Sequence, residues 1–242
     1  MGLLSRRAIT AKEVFSLEDG REVRLLGWIA HKRAHKDKVF VLMRDGSGYV
    51  QLVVSKDARG AFEEVEGLGI ESCISTRGII KSDPRAPGGK EIDVKELEVI
   101  APSDAWPITT SALRSPGFLF DKRHLTIRGK RTRSIMRIRS ELMKAAQDYF
   151  EKNSYTWIQV PTFITAAVEG GATLFEVKYF DTKVYLTQSA QFYEEAAICS
   201  FERVYTIQPS FRAEKSRTRK HLTEFWHIEA EAAFMDHDDI MR

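Results

Sequence analysis

The sequence RVYTIQPSFRAEKSRTRKHLTEFWHIEAEAAF occupies residues 203–234. In it, two runs of alternating apolar and polar residues flank the basic stretch KSRTRKH. Alternation with a period of two is typical of strands that are buried on one face. The stretch therefore predicts a β-hairpin with a cationic tip.

Charged side chains are expected on one face of this hairpin. Because side chains alternate along a strand, Arg212 and Glu214 should share a face of the first strand, and His227, Glu229 and Glu231 a face of the second. A guanidinium group binds phosphate oxygens, and carboxylates accept protons from ammonium or amide groups. Such a face suits a nucleotide next to an amino acid. From spacing alone, a solvated strand face explains the alternation equally well.

The hairpin is expected to belong to an α+β domain with an antiparallel sheet, over residues 118–242. From Thr132 the apolar residues recur at intervals of three and four, which predicts a long helix that ends near Asn153. The stretches WIQVPTFI and KVYLTQS are predicted as strands, and QFYEEAAICSF as a helix.

Residues 1–101 predict a separate β-barrel. The runs VRLLGWI, KVFVLMR and YVQLVVS read as strands, with a hairpin at the Asp45-Gly46 turn. DARGAFEEVEGLG predicts a short helix, and CISTRGIIKS and KEIDVKELEVIA two more strands. This order is expected of an OB-fold, although other small barrels share it. Residues 102–117 carry three prolines without periodicity and are predicted to be an interdomain linker.

Composition limits the classes of protein. The chain has 242 residues, 43% of them hydrophobic, and a formal charge of only +3, so contacts with nucleic acid must come from local patches. Its two cysteines, Cys73 and Cys199, predict buried thiols in a reducing compartment rather than a disulfide framework. No apolar run is long enough for a membrane span, and we expect a cytoplasmic protein without a membrane partner.

The motifs identify a family. FRAE, a basic loop and RKHLTEFWHIEAE closely resemble motif 2 of the class II aminoacyl-tRNA synthetases, in the aspartyl, asparaginyl and lysyl subgroup. The segment from Phe118 to Phe163 resembles motif 1, with its hallmark Pro161, which in the family forms the dimer interface. VEGGATLFEV resembles the loop that closes over the amino acid, and YLTQSAQFYEEAA the substrate pocket. GWIAHKRAHKDKVFVLMRDGSGYVQLVV resembles the subgroup's anticodon-binding OB-fold.

The resemblance implies roles for individual residues. Arg212 would hold the α-phosphate of ATP and stabilise the charge that develops there, and Glu214 would position ATP or the tRNA terminus. Phe225 would stack on adenine, although such a residue also fits a core. Glu169 would bind the ammonium group of the amino acid. The remaining implied contacts are Arg219, Lys220 and His221 to phosphates, and Ser189, Gln191, His227 and Glu229 to the amino acid.

In the barrel, Arg33, Phe40 and Gln51 match residues that stack on and hydrogen-bond the anticodon in this subgroup. Stacking combined with hydrogen bonds to base edges is how proteins read single-stranded RNA. For Phe40, a buried strand position is an equally good interpretation. The basic stretch from Lys122 to Arg139 could contact tRNA phosphates, or could be a solvated surface.

The amino acid predicted from the motifs is asparagine. Aspartyl enzymes of the family carry Lys where this chain has Glu194, and FWHIEAE, including Trp226, matches the asparaginyl pattern. His227 and Glu229 are then candidates for reading the side-chain amide. The implied reaction is ATP-dependent ligation of asparagine to its tRNA through an adenylate. Alternatives are an enzyme of the aspartyl branch, including a non-discriminating one, and a non-catalytic tRNA-binding or dimerisation module.

The family's motif 3 has no counterpart before Arg242. It supplies an arginine against adenine, with carboxylates for Mg²⁺ nearby. We therefore expect a truncated chain that is inactive alone, with the Mg²⁺ ligands outside it, and a homodimer formed through motif 1. FMDHDDIM, around His237, predicts an acidic helix start rather than a metal site.

Overall fold

A computed structural model of the chain describes residues 8–165, 174–215, 218 and 220–241. The chain consists of two compact units that divide after Ile127. The predicted boundaries at residues 101 and 117 stay a prediction. Part of the predicted linker is held to the first unit, because the Ser103 hydroxyl donates to the Ile70 carbonyl oxygen at 2.7 Å.

The first unit contains a closed five-stranded barrel in which neighbouring strands follow the order β1-β2-β3-β5-β4. Strands β3 and β5 pair in parallel, and the other neighbours are antiparallel. This arrangement confirms the predicted OB-fold barrel. The strands are β1 Glu22–His35, β2 Lys38–Arg44, β3 Tyr49–Ser55, β4 Cys73–Ser82 and β5 Lys90–Ala101.

In the described residues of the first unit, four α-helices accompany the barrel. The first begins with a capping box in which Thr10 and Glu13 satisfy each other's backbone N–H groups. The second ends where the Lys32 ammonium group donates to the carbonyl oxygens of Val65, Glu66 and Leu68, which suits the partial negative charge of a helix C-terminus. The helices are α1 Ala11–Val14, α2 Arg59–Gly67, α3 Pro116–Asp121 and α4 Arg123–Thr126.

The barrel interior is filled by the alternate apolar residues that the strand pattern predicts. The fully buried side chains include Leu25, Val41, Leu52 and Ile92, from four different strands. Strands β1 and β2 approach closely at Gly27, where a Cβ atom would lie 2.5 Å from the Arg44 carbonyl oxygen. Any larger residue at this position would force the two strands apart.

The turn between β2 and β3 is organised by Asp45. One carboxylate oxygen accepts from the Ser47 and Gly48 backbone N–H groups at 2.7 and 2.9 Å, and the other from the Ala11 N–H at 2.6 Å. Burial alone would raise the pKa of Asp45, but these bonds hold the pKa of the carboxyl below its usual value. The Asp-Gly hairpin predicted from the sequence is thus also the attachment point of α1.

A buried ion pair lies at the end of β2. The Arg44 guanidinium group donates to both carboxylate oxygens of Glu71, at 2.6 and 2.8 Å, and the two side chains are 8% and 5% exposed. The guanidinium carbon also lies 5.6 Å from the ring centroid of Trp28. Bidentate geometry of this kind is the arrangement in which a buried pair satisfies both charges.

The second unit contains two three-stranded sheets, with the orders β11-β10-β6 and β7-β9-β8. Antiparallel pairing dominates, as predicted, and β6 joins β10 in parallel. Its strands are β6 Thr156–Trp157, β7 Phe163–Ile164, β8 Glu176–Tyr179, β9 Thr182–Leu186, β10 Arg203–Phe211 and β11 Glu224–Ala232. Its helices are α5 Lys130–Lys152, α6 Gln191–Phe201 and α7 His237–Ile240.

Three predictions for this unit were wrong in detail. The stretch WIQVPTFI is not one strand but supplies β6 and β7 to different sheets, because Pro161 between them has no N–H group for a ladder. Strand β8 was not predicted. The strand predicted to run through Glu214 ends at Phe211, although the Arg212 N–H still donates to the Thr223 carbonyl oxygen at 2.9 Å.

Helix α5 covers the predicted helix and is attached at its C-terminal end. The Phe150 ring stacks on Tyr205 at 4.7 Å between centroids, and Asn153 caps the helix through its own backbone and side chain. Further toward the N-terminus, an apolar stripe on α5 is exposed within this chain. It comprises Ile135, Met136, Ile138, Leu142 and Tyr149.

The cysteine prediction was partly wrong. Cys73 is partly buried, whereas Cys199 on α6 is exposed, because α6 packs only one side onto the sheet. The acidic start of α7 is confirmed, since the Asp236 carboxylate accepts from the Asp238 and Asp239 N–H groups. Among the described residues, no helix combines the length and apolar character needed to cross a membrane.

Candidate functional site

The β10–β11 hairpin brings the predicted charged residues to one face. Directly paired residues of antiparallel strands point to the same side of a sheet. The pairs Thr206–Glu229, Gln208–His227 and Ser210–Phe225 follow one another along the hairpin. Arg212 extends the same series through its backbone bond to Thr223. The prediction that His227, Glu229 and Glu231 share a face is therefore confirmed, whereas the predicted strand position of Glu214 lies beyond the end of β10.

A pocket of about 380 Å³ lies at the open end of this hairpin. The Arg212 guanidinium carbon stands 5.2 Å from the Phe225 ring centroid, so one cation and one aromatic face form a single surface. The connecting loop contributes the basic side chains of Lys220 and His221 and the acidic side chain of Glu214. The lining residues are Arg212, Glu214, Lys220, His221, Leu222, Thr223 and Phe225.

A polar cluster occupies the same face nearer the middle of the hairpin, around Glu229. One Glu229 oxygen accepts from the Ser189 hydroxyl, and the other accepts from the Ala190 N–H at 2.7 Å. The His227 Nδ1 atom lies 3.1 Å from Glu229 and 3.3 Å from the Ser210 hydroxyl. Burial alone would raise the pKa of Glu229, but the bonds from His227, Ser189 and Ala190 hold it below its usual value. The cluster thus contains a fixed negative charge.

The pocket and the cluster are adjacent regions rather than one cavity. Glu229 is not among the residues that line the pocket. Thr206, the partner of Glu229, and Arg212 are six positions apart on one strand, which corresponds to about 20 Å along it. A separation of this order leaves room for a nucleotide joined to an amino acid. The two regions therefore share one face of the hairpin but not one cavity.

The other predicted amino-acid residues give a mixed result. The Gln191 N–H donates to the Ser189 hydroxyl at 3.0 Å, while its side-chain amide donates to Glu195 at 2.9 Å. Gln191 is therefore at the edge of the cluster. Glu169 and Arg219 lie outside the described residues.

A buried acid beside this cluster was not in the predicted set of site residues. Glu194, in the first turn of α6, is only 1% exposed. Burial raises the pKa of Glu194 to about 7, and the nearby Glu229 and Glu231 act in the same direction. The sequence had marked the position only as a difference from aspartyl enzymes.

The predicted anticodon residues lie on the outer face of the barrel. Arg33 pairs with Phe40 across β1 and β2, and its guanidinium carbon is 5.3 Å from the ring centroid. Phe40 is half-buried, while its neighbours Val39 and Val41 point into the core. Gln51 on β3 donates to the Glu91 carboxylate at 2.8 Å. An aromatic ring, a guanidinium group and an amide are thus displayed on three consecutive strands.

Comparison with known proteins agrees with this architecture. Residues 115–242 match the family model of class II tRNA synthetases for D, K and N, and residues 23–100 match that of the OB-fold nucleic acid binding domain. The chain belongs to the class II tRNA synthetases of this D, K and N group. The membership predicted from the motifs is confirmed.

Within that group, the chain is similar to asparagine–tRNA ligases. It is 50% identical to the asparagine–tRNA ligase of Thermococcus gammatolerans over 93% of this chain and 52% of that protein. The structure of asparaginyl-tRNA synthetase from Pyrococcus horikoshii complexed with asparaginyl-adenylate is 47% identical, with a TM-score of 0.91, over 97% of this chain and 55% of that one. The corresponding complex from Entamoeba histolytica gives 31% and a TM-score of 0.85, over 98% and 55%. The chain thus spans about half the length of these relatives.

Proposed function

We propose that the protein carrying this chain ligates asparagine to its tRNA through an asparaginyl-adenylate. The observation that carries the proposal is the β10–β11 hairpin, which presents a cationic, aromatic pocket and a carboxylate-rich cluster on the same face. The relatives at about 50% identity are asparagine–tRNA ligases, and the solved relative from P. horikoshii is complexed with asparaginyl-adenylate.

In the proposed first step, a carboxylate oxygen of asparagine attacks the α-phosphorus of ATP, and pyrophosphate leaves as the new P–O bond forms. Arg212 binds the α-phosphate and stabilises the charge that develops on its oxygens. Lys220 and His221, on the loop side of the pocket, contact the outer phosphates, and Phe225 stacks on the adenine. Glu214 positions ATP or the end of the tRNA.

In the second step, a hydroxyl of the terminal adenosine of tRNA attacks the carbonyl carbon of the adenylate, and AMP leaves. Both steps depend on positioning and charge stabilisation, which are the contributions that fixed side chains on a hairpin can make. Glu169, Ser189 and Gln191 hold the amino acid, and His227 and Glu229 face its side-chain amide.

Magnesium, when bound with ATP, neutralises charge on the phosphate oxygens. Among the described residues, no group of three or more His, Cys, Asp or Glu side chains is arranged to hold a metal ion. The steps above use only side chains of this chain.

The proposal includes a homodimer formed through motif 1 and a cytoplasmic location. The exposed apolar stripe on α5, which includes Ile138 and Leu142, is a surface that a second copy could cover. The two cysteines, Cys73 and Cys199, are free thiols, which is typical of a reducing compartment.

The activity is tested by ATP–pyrophosphate exchange on the protein at its full natural length. We expect exchange with asparagine to exceed exchange with aspartate by at least about 10²-fold in kcat/KM, because a site built around an amide leaves a carboxylate unmatched. Equal or reversed preference would assign the protein to the aspartyl branch. Absence of exchange with either amino acid would favour a tRNA-binding module without catalysis.

Anticodon reading is tested separately by Gln51→Ala. We expect this change to weaken binding of the cognate tRNA about 3- to 10-fold, because one hydrogen bond to a base is lost, and to leave asparagine activation nearly intact. The measurement is a binding titration with cognate tRNA and with tRNA altered at the middle anticodon base. If Gln51 reads that base, the variant and the altered tRNA have effects that do not add. Fully additive effects contradict the assignment.

A further inference from the structure

Glu194 is a buried acid for which the proposed reaction has not yet required a role. It projects from α6 toward the sheet, since α6 packs against β10 and β11. Its carboxyl group is hydrogen-bonded with Thr206, the register partner of Glu229. Within the described part of the chain, the Oε1 atom of Glu194 has no hydrogen-bond partner, and neither has the buried Nε2 atom of Gln208.

Packing alone does not account for this side chain. Burying a carboxyl group with an unpartnered oxygen opposes folding, and a neutral residue of the same size would avoid that cost. The side-chain amide of Gln208, on the same face of the sheet, has a buried N–H donor that also lacks a hydrogen-bond partner among the described residues. Polar groups retained at such a cost are more readily explained by function than by stability.

The surroundings of Glu194 are predominantly acidic. Strand β11 contributes the carboxyl groups of Glu229 and Glu231. It also contributes the imidazole of His227, which acts on Glu194 in the opposite direction. The face of β10 that meets α6 contributes only neutral side chains between Val204 and Ser210. On α6 itself, Glu195 acts on Glu231 and raises the pKa of that carboxyl together with burial. In the described part of the chain, the carboxyl groups of Glu194, Glu229 and Glu231 thus lie near the single imidazole of His227 in the polar cluster.

We propose that Glu194 is a specificity-determining residue whose carboxylate adds to the negative field around Glu229 and disfavours aspartate relative to asparagine. The inference rests on the proposed function and deepens it. The two amino acids have almost the same shape, so discrimination must come from charge and from hydrogen-bond polarity. In a site of low polarity, one additional negative charge beside Glu229 changes the relative binding of an acid and an amide by roughly tenfold or more.

The negative electrostatic field around Glu229 should depend on pH, because the pKa of Glu194 is about 7. Burial, reinforced by Glu229 and Glu231, raises the pKa of Glu194 to about 7, while Thr206 and His227 act in the opposite direction. Glu194 therefore gains its negative charge as the pH rises through this range. His227 also faces the cluster, so a comparison of variants at position 194 isolates the contribution of Glu194.

The test is ATP–pyrophosphate exchange by the protein at its full natural length, with asparagine and with aspartate, between about pH 6 and about pH 8.5. The variants are Glu194→Gln and Glu194→Met, which both remove the charge and nearly conserve side-chain volume. The matched control is Glu96→Gln, which removes a carboxylate of the barrel that is 71% exposed and pairs with Arg77 at 3.6 Å.

The expected observable is the ratio of kcat/KM for asparagine to that for aspartate. At about pH 8.5 the ratio should fall roughly tenfold in both Glu194 variants, and its increase with pH should be smaller than in the wild type and the control. If asparagine exchange persists and either folded variant keeps the wild-type ratio and pH profile, the inference is overturned and the proposed function stands. A wild-type protein without exchange for either amino acid overturns the proposed function itself.

Discussion

Replacing Arg212 by alanine is expected to lower kcat/KM for asparagine-dependent ATP–pyrophosphate exchange by about 10²- to 10³-fold. Arg212 is the guanidinium group of the pocket, held against Phe225 at 5.2 Å, and it has no substitute of the same geometry among the described lining residues. Removing it takes away a charge-assisted contact that strengthens as charge develops on the α-phosphate. The measurement is exchange kinetics on the protein at its full natural length.

Two further variants separate charge from geometry. Arg212→Lys keeps the charge but loses the planar fork, and should have an intermediate rate. Arg85→Ala removes an exposed arginine of the barrel, whose partner is Asp83 at 2.8 Å, and should leave exchange unchanged. If Arg212→Ala retains activity within about threefold of the wild type, the phosphate-binding role of this residue is wrong.

The second large effect concerns stability. Arg44→Met is expected to reduce the free energy of unfolding of the barrel by about 3–5 kcal/mol, because it removes the bidentate guanidinium partner of the buried Glu71 carboxylate. The pair is bidentate and less than a tenth exposed, so solvent cannot replace the lost guanidinium group. Chemical denaturation followed by far-ultraviolet circular dichroism measures the change.

The matched control is Arg77→Met on β4. Arg77 pairs with Glu96 at 3.6 Å, and the Glu96 side chain is 71% exposed, so its loss should cost at most about 1 kcal/mol. Adding Glu71→Gln to Arg44→Met should recover part of the lost stability, since a neutral amide is less costly to bury than a carboxylate. If Arg44→Met and Arg77→Met reduce the free energy of unfolding equally, burial does not explain the contribution of the Arg44–Glu71 ion pair to stability.

The barrel could be predicted well because each strand is a short apolar run bounded by turn residues. Strands β2 to β5 begin and end at the residues that the pattern indicates. Strand β1 is longer than predicted, because the polar residues from His31 to His35 continue the ladder by pairing with β2. Local apolar pattern cannot reveal such an extension, since it depends on the partner strand.

The second unit was harder to predict where pairing is brief. β6 and β7 have two residues each, too few to show alternation, and Pro161 between them was read as lying within one strand. In the site, Glu194 and Glu195 are adjacent acids whose burial the apolar pattern cannot distinguish. Only the packing of α6 shows that Glu194 is buried and Glu195 exposed.

The register of the β10–β11 hairpin fixes the distance between the two parts of the site. Because β10 and β11 are paired without a bulge from Arg203–Ala232 to Phe211–Glu224, the spacing between the basic end and the acidic middle is set by strand geometry alone. A single-residue insertion within β11 would turn every following side chain to the opposite side of the sheet, so the charged residues would no longer share one face. Lengthening the connecting loop would leave the spacing along the strands unchanged. Natural variation in this protein should therefore accumulate in the loop and not in the paired segments.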